Sequence, residues 1–120
     1  MDGADEYALG RMYFLGDGVA PDERVAASWY EKAATRGHIG AHRALGRMYY
    51  CGAGVERDYV AAASMLRNAA ERGDAGAQCA LAEVLYRTSP RDAVKWYETS
   101  AANGNAEAAC ALTLIQTSRM

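Results

Sequence analysis

Residues 8–41 recur 36 positions further along the chain. Leu9-Gly10-Arg11-Met12-Tyr13 returns as Leu45-Gly46-Arg47-Met48-Tyr49, and Gly16-Asp17-Gly18-Val19 returns as Gly52-Ala53-Gly54-Val55. Ala26-Ala27-Ser28 returns as Ala62-Ala63-Ser64, so that about 19 of these 34 positions are identical. A period of this size marks a stacked helical repeat in which each unit buries its neighbour, rather than an enzyme built round one compact core. It places the chain among binding proteins without naming what is bound.

The period continues with one deletion. Ala33-Ala34-Thr35-Arg36-Gly37 matches Ala69-Ala70-Glu71-Arg72-Gly73 and then Ser100-Ala101-Ala102-Asn103-Gly104. The residues lost in the third unit fall between Tyr86 and Trp96, where the first two units carry the Gly-rich loop. The units are read as about 4–39, 40–75, 76–106 and 107–120, with Ala108 and Leu112 of the last in register and only one helix in it.

Each unit reads as two antiparallel helices. The expected helices lie near residues 4–15, 22–36, 39–51, 58–72, 75–87, 90–103 and 105–118. In unit two, Ala41, Leu45, Met48 and Tyr49 form an apolar stripe at helical spacing. A glycine inside a helix costs about 1 kcal/mol against alanine. Its recurrence at Gly10 and Gly46, with Ala82 in unit three, therefore implies close approach of another helix. The Gly-x-Gly-Val turn ends the first helix through a left-handed glycine. Asp22 and Asp58 stand where the second helix needs an N-cap, and Ser89-Pro90-Arg91-Asp92 supplies a capping Ser and a Pro at the first helical position in unit three. On the second helices Trp29, Tyr30, Met65, Leu66, Trp96 and Tyr97 read as core, so Trp29→Ala is expected to cost about 3–5 kcal/mol. The last helix has no partner hairpin, so its apolar face is expected to dock back on unit three or to favour self-association.

Composition narrows the function classes. Of 120 residues, 51% are apolar and the net charge is −2, which disfavours non-specific binding to nucleic acid or to an anionic membrane. The longest uncharged run, 108–118, is too short to span a bilayer. Three cysteines cannot make a complete disulfide framework, and Cys79 and Cys110 hold the same position in successive units. All three read as reduced thiols. Together with an acidic N-terminus that lacks an apolar signal region, this favours the cytoplasm. Met1 takes the place of Gly37 and Gly73, so the chain opens at a repeat boundary.

Chemistry is sparse. His38 and His42 are four apart, a spacing that can hold a metal, but His38 falls at a connector and no nearby residue completes the set, so no metal and no cofactor is expected. A thiol nucleophile would need Cys51, Cys79 or Cys110 beside a histidine. His42 and Cys79 lie on neighbouring first helices, yet no third group orients them, and the chain is read as non-enzymatic. A thiol- or serine-dependent hydrolase is the contrasting class. Gly16-Asp17-Gly18 lacks the preceding strand and following Lys of a phosphate loop and reads as a hairpin turn.

The chain closely resembles the Sel-one-like repeat (SLR) family, relatives of the tetratricopeptide repeats. The residues that carry the resemblance are Leu9-Gly10, Tyr13, Gly16-x-Gly18-Val19, Asp22, Ala26, Trp29-Tyr30, Ala33-Ala34 and Gly37, with their counterparts in unit two. Unit two departs at Met65 and Leu66, and unit three lacks the Gly-x-Gly-Val loop. The resemblance implies an all-α, right-handed solenoid of about three and a half hairpin repeats, acting as an adaptor or scaffold for a protein or peptide partner. A secreted branch of the family carries a Cys pair in each repeat, which this chain lacks. The contrasting reading is a structural stretch of a larger repeat protein with no partner of its own.

In tetratricopeptide-type solenoids the first helices line a concave groove. The side chains opposite the apolar stripe would then form its floor: Tyr7, Arg11 and Phe14, then Arg43, Arg47 and Tyr50, then Cys79, Glu83 and Tyr86, then Cys110, Leu114 and Thr117. Each set is spaced i, i+4, i+7 and so shares one helix face. Arg11, Arg43 and Arg47 beside Tyr7, Phe14 and Tyr50 would suit an extended acidic peptide, while Glu83 and Tyr86 would mark where the positive field fades.

Overall fold

The computed structural model describes residues 2–118; residues 119 and 120 of the last unit lie outside the described residues. Seven helices follow one another: α1 (Ala4–Leu15), α2 (Glu23–Thr35), α3 (Ile39–Cys51), α4 (Tyr59–Glu71), α5 (Ala75–Leu85), α6 (Pro90–Ala102) and α7 (Ala106–Ser118). Among the described residues there is no strand, and no helix is long and apolar enough to cross a membrane. Consecutive helices pack as hairpins into an elongated all-α solenoid of 49 × 27 × 24 Å.

The local signals explain the boundaries. Gly16 and Gly52 end α1 and α3 at φ 74° and 73°, and each N–H donates back to the carbonyl of Met12 or Met48. A carboxylate oxygen of Asp22 accepts from the N–H groups of Arg24 and Val25, and Asp58 does the same for Val60 and Ala61. Unit three differs from expectation in two ways. Helix α5 ends at Leu85, not near 87, because the shortened connection turns back at once, with the Ser89 N–H donating to the Leu85 carbonyl at 2.6 Å. Ser89 occupies the N-cap position of α6, but its hydroxyl donates to Asp92 Oδ2 at 3.0 Å and makes no cap bond to the backbone.

The glycine positions are contact points between helices. A Cβ built on Gly10 would lie 2.7 Å from ring atoms of Tyr30, and one on Gly46 would lie 2.6 Å from Cγ of Leu66. Three buried clusters result. Ala26, Tyr30, Ala41, Leu45 and Met48 join units one and two. Leu66, Ala69, Ala77 and Leu81 join units two and three. Cys79, Ala82, Tyr97 and Ala108 join α5, α6 and α7. The last helix does dock on unit three, through Ala108, Leu112 and Ile115, and leaves Leu114 71% exposed.

One reading of the core is corrected. Trp29 is only half-buried and belongs to none of the three clusters; the Lys32 ammonium covers its ring at 4.4 Å. The second-helix position that it shares with Met65 and Trp96 packs against the unit before. Met65 packs on the cluster of units one and two, and Trp96 reaches both the next cluster and its own. Trp96→Ala should therefore cost about 3 kcal/mol, with Trp29→Ala costing a minor fraction of that. Thermal melts of the two variants check this, and equal losses would show that Trp29 is packed after all.

Candidate groove across the first helices

A contact between units recurs along the inner row. In units two, three and four the residue before the first helix caps it through its side chain, whereas Gly3 before α1 makes no such bond. Nδ1 of His38 accepts from the Ala41 N–H at 3.1 Å, Asp74 Oδ1 from Ala77 at 2.9 Å, and Asn105 Oδ1 from Ala108 at 2.9 Å. The first groove residue of the preceding unit packs on this cap. Tyr7 stacks on His38 with ring centroids 4.4 Å apart, and Arg43 Nη1 donates to both oxygens of Asp74 at 3.0 and 3.2 Å. Gly40 and Gly76 make room, since a Cβ there would lie 3.3 Å from Tyr7 or 3.2 Å from Arg43. The same joint is thus made once by stacking and once by an ion pair.

The two histidines make local contacts. His38 caps α3 through Nδ1. Nδ1 of His42 sits 3.0 Å from the His38 carbonyl and donates to it. His42 lines a cleft with Leu45 and Met65, whereas Cys79 packs on α6 and α7. The signal for these caps was available in sequence, since positions 2, 38, 74 and 105 read Asp, His, Asp, Asn in register.

Two adjoining clefts cross the first helices. One, of about 360 Å³, is lined by Tyr7 and Phe14 of α1, Tyr30 of α2, and Arg43, Arg47 and Met48 of α3. The other, of about 270 Å³, is lined by Arg47 and Tyr50 of α3, Ala80 and Glu83 of α5, and Glu107 of α7. Arg47 and Cys51 belong to both. Of the residues read as the groove floor, six line these clefts. Arg11, Cys79, Tyr86, Cys110, Leu114 and Thr117 line neither: the Arg11 guanidinium lies 6.0 Å from the Tyr7 ring centroid, and Tyr86 is 44% exposed. Arg43 is not a free cation, being half-buried and paired with Asp74. Tyr50 packs on Tyr59, with the Arg87 guanidinium over both rings at 5.8 and 4.9 Å.

At the far end the joint changes. Cys79 stands where units one and two have Tyr7 and Arg43, and Glu107 of unit four where units two and three have Gly40 and Gly76. The small residue and the large one have changed places, and Cys79, Glu83 and Glu107 bring ligand atoms within 4.8 Å of one another. Burial, then the neighbouring carboxylates, push the Cys79 thiol up, with Arg47 opposing. Burial pushes the Glu83 carboxyl up as well, Arg47 opposing and Glu107 adding to it. Burial is also the main reason that Tyr97 is raised to about 12, followed by Glu83 and Cys79. A thiol held protonated in this way is a poor nucleophile. Sequence reasoning weighed Cys79 as a thiol beside His42 and as a floor residue, and Glu83 as a floor residue, and did not connect Glu107 to them.

A family model of the Sel1 repeat matches residues 4–38, 39–74 and 75–105. Among solved structures, a protective antigen present in uropathogenic Escherichia coli strains and displaying an SLR fold is 33% identical, with a TM-score of 0.85 over 88% of this chain and 24% of that one. A Sel1 repeat protein from Oxalobacter formigenes is 29% identical, with a TM-score of 0.84 over 94% of this chain and 49% of that one. The chain thus spans about a quarter and about half of the lengths of these two. No curated protein matches it.

The joint at Asp74 separates capping from ion pairing. Asp74→Asn keeps an oxygen for the Ala77 N–H, as Asn105 does for Ala108, and loses only a partly exposed ion pair worth about 0–1 kcal/mol. Asp74→Ala loses both and should cost about 1–2 kcal/mol. Denaturant titration of the two variants distinguishes them, and equal losses would mean that the cap contributes nothing.

Proposed function

The chain belongs to the Sel1 repeat family, and from that premise we propose that its two adjoining clefts bind an extended, acidic segment of a partner protein. Sel1 repeats are generally protein-interaction modules and non-catalytic scaffolds. The observation that carries the finer reading is the placement of Arg47 on the wall shared by both clefts, exposed, with Tyr7, Phe14 and Met48 lining the apolar side of the first. An aromatic or large aliphatic side chain of the partner fits among these residues, and the acidic residue next to it meets Arg47. Arg11 adds to the positive field over unit one. Arg43 contributes a guanidinium already fixed by Asp74 and partly neutralised, so it orients more than it attracts. Glu83 and Glu107 oppose an acidic chain beyond Arg47 and set its polarity along the groove.

Fluorescence anisotropy with synthetic peptides tests this. The peptides carry one Phe beside a run of Glu, beside a run of Gln, or beside a run of Lys. The Glu peptide should bind best, and its binding should weaken as salt is added because exposed pairs are screened. Arg47→Ala should weaken it about two- to fivefold, the loss of one partly exposed pair. Phe14→Ala should weaken the Glu and Gln peptides alike. Equal binding of all three peptides, or unchanged binding by both variants at both salt concentrations, would overturn the reading.

A further inference from the structure

We propose that Cys79, Glu83 and Glu107 form a binding site for a divalent metal ion of intermediate softness, with zinc the best match. The inference does not depend on the peptide-binding reading: Glu83 and Glu107 also border the second cleft, but the site is anchored by Cys79, which lines neither cleft, and needs no partner. Cys79 and Glu83 are four residues apart on α5, hence on one face, and Glu107 comes from the first turn of α7. Their ligand atoms all lie within 4.8 Å of one another. Tetrahedral zinc, with bonds of about 2.3 Å to sulfur and 2.0–2.2 Å to oxygen, needs its ligand atoms about 3.6 Å apart. The two glutamates are exposed and close that gap by side-chain rotation, while Cys79 stays fixed in the core.

A second observation points to a ligand. Cys79 is 3% exposed, packs beside Ala82 and Ala108, and makes no hydrogen bond among the described residues, yet its sulfur faces two carboxylates. As a plain packing residue it needs no such surroundings. At this joint, units one and two place a large side chain over a glycine. Here the thiol leaves room, and Glu107 replaces the glycine and extends toward it. A buried thiol facing two carboxylates becomes a third anionic ligand once its proton is lost, a state that a divalent cation favours. A sulfur–carboxylate set selects zinc-like ions over magnesium or calcium, which prefer oxygen alone. On binding, Cys79 releases its proton to solvent and coordinates as thiolate. Thiolate, two carboxylates and a divalent ion leave one net negative charge. Arg47, already close enough to act on both Cys79 and Glu83, neutralises it. Water takes the fourth position, and Tyr97 borders the site from α6.

The test is titration of the reduced chain with cobalt(II), followed by competition with zinc. One equivalent of cobalt should bind and give a near-ultraviolet sulfur-to-cobalt band, which zinc should abolish. Cys79→Ser should lose the band, whereas a Cys51→Ala/Cys110→Ala double variant should keep it. Glu107→Gln alters an exposed residue and leaves the core intact, so it reports even if Cys79→Ser does not fold. It should weaken binding by about tenfold or more, since even outer partners of a metal site are worth about 10–100-fold. Absence of a sulfur band in the parent, a band lost in the double variant but kept in Cys79→Ser, or unchanged affinity in Glu107→Gln would each overturn the proposal.

Discussion

Every hairpin in this chain depends on how closely its two helices approach at one position of the first helix. At Gly46 the α3 backbone lies against Leu66 and Ala62, with the Leu66 Cγ within 2.6 Å of where a Cβ would stand. Leu66 is fully buried and has no room to withdraw. Gly10 makes the same approach to the ring of Tyr30. In unit three, Ala82 supplies a real Cβ and is fully buried in the cluster with Ala93 and Tyr97. The requirement is thus for a small residue, met by glycine where the facing side chain sits directly over it. With this contact set, the alanines at 26, 33, 62 and 69 are fully buried, and successive hairpins stack in one register.

A second constraint acts between units. The caps of α3 and α5 are also the seats for a first-helix residue from the unit before. Tyr7 on His38 and Arg43 on Asp74 are two chemical solutions to one geometric joint. Because this joint lies along the first cleft, Tyr7 and Arg43 line that cleft and also hold the solenoid together. Substitutions at Tyr7 or Arg43 therefore change stacking, so Arg47 and Phe14 are the cleaner positions for testing the proposed peptide binding. At the third joint, the exchange of sizes between Cys79 and Glu107 turns a packing contact into a cluster of potential ligands.

Repetition made most of the fold legible before any coordinates. Comparing two copies separates positions that must be small, such as Gly10 and Gly46, from positions that vary, and each left-handed glycine or capping aspartate fixes a helix end. Trp29 was misjudged because the pattern shows that a residue is apolar, not which neighbour covers it, and the Trp29 position packs toward the preceding unit. Ser89 was misjudged because its hydroxyl had a second partner, Asp92, within reach. Which residues share one face of each first helix was legible from helical spacing, but the pairing of Arg43 was not. Asp74 lies 31 residues away, and only the stacking of units brings the two together. The same holds for Glu107, whose approach to Cys79 follows from a size exchange that a row-by-row reading treats as two unrelated changes.

The close approach at Gly46 can be tested by adding a single methyl group. Helix propensity alone favours alanine over glycine by about 1 kcal/mol, so Gly46→Ala should stabilise the chain if α3 has space at that point. The contact with Leu66 reverses the sign, because overpacking a closed core costs about 1–3 kcal/mol. Equilibrium denaturation of Gly46→Ala beside the parent measures the net effect. The account predicts that Gly46→Ala unfolds at lower denaturant and lower temperature than the parent. A variant as stable as the parent or more so would contradict it.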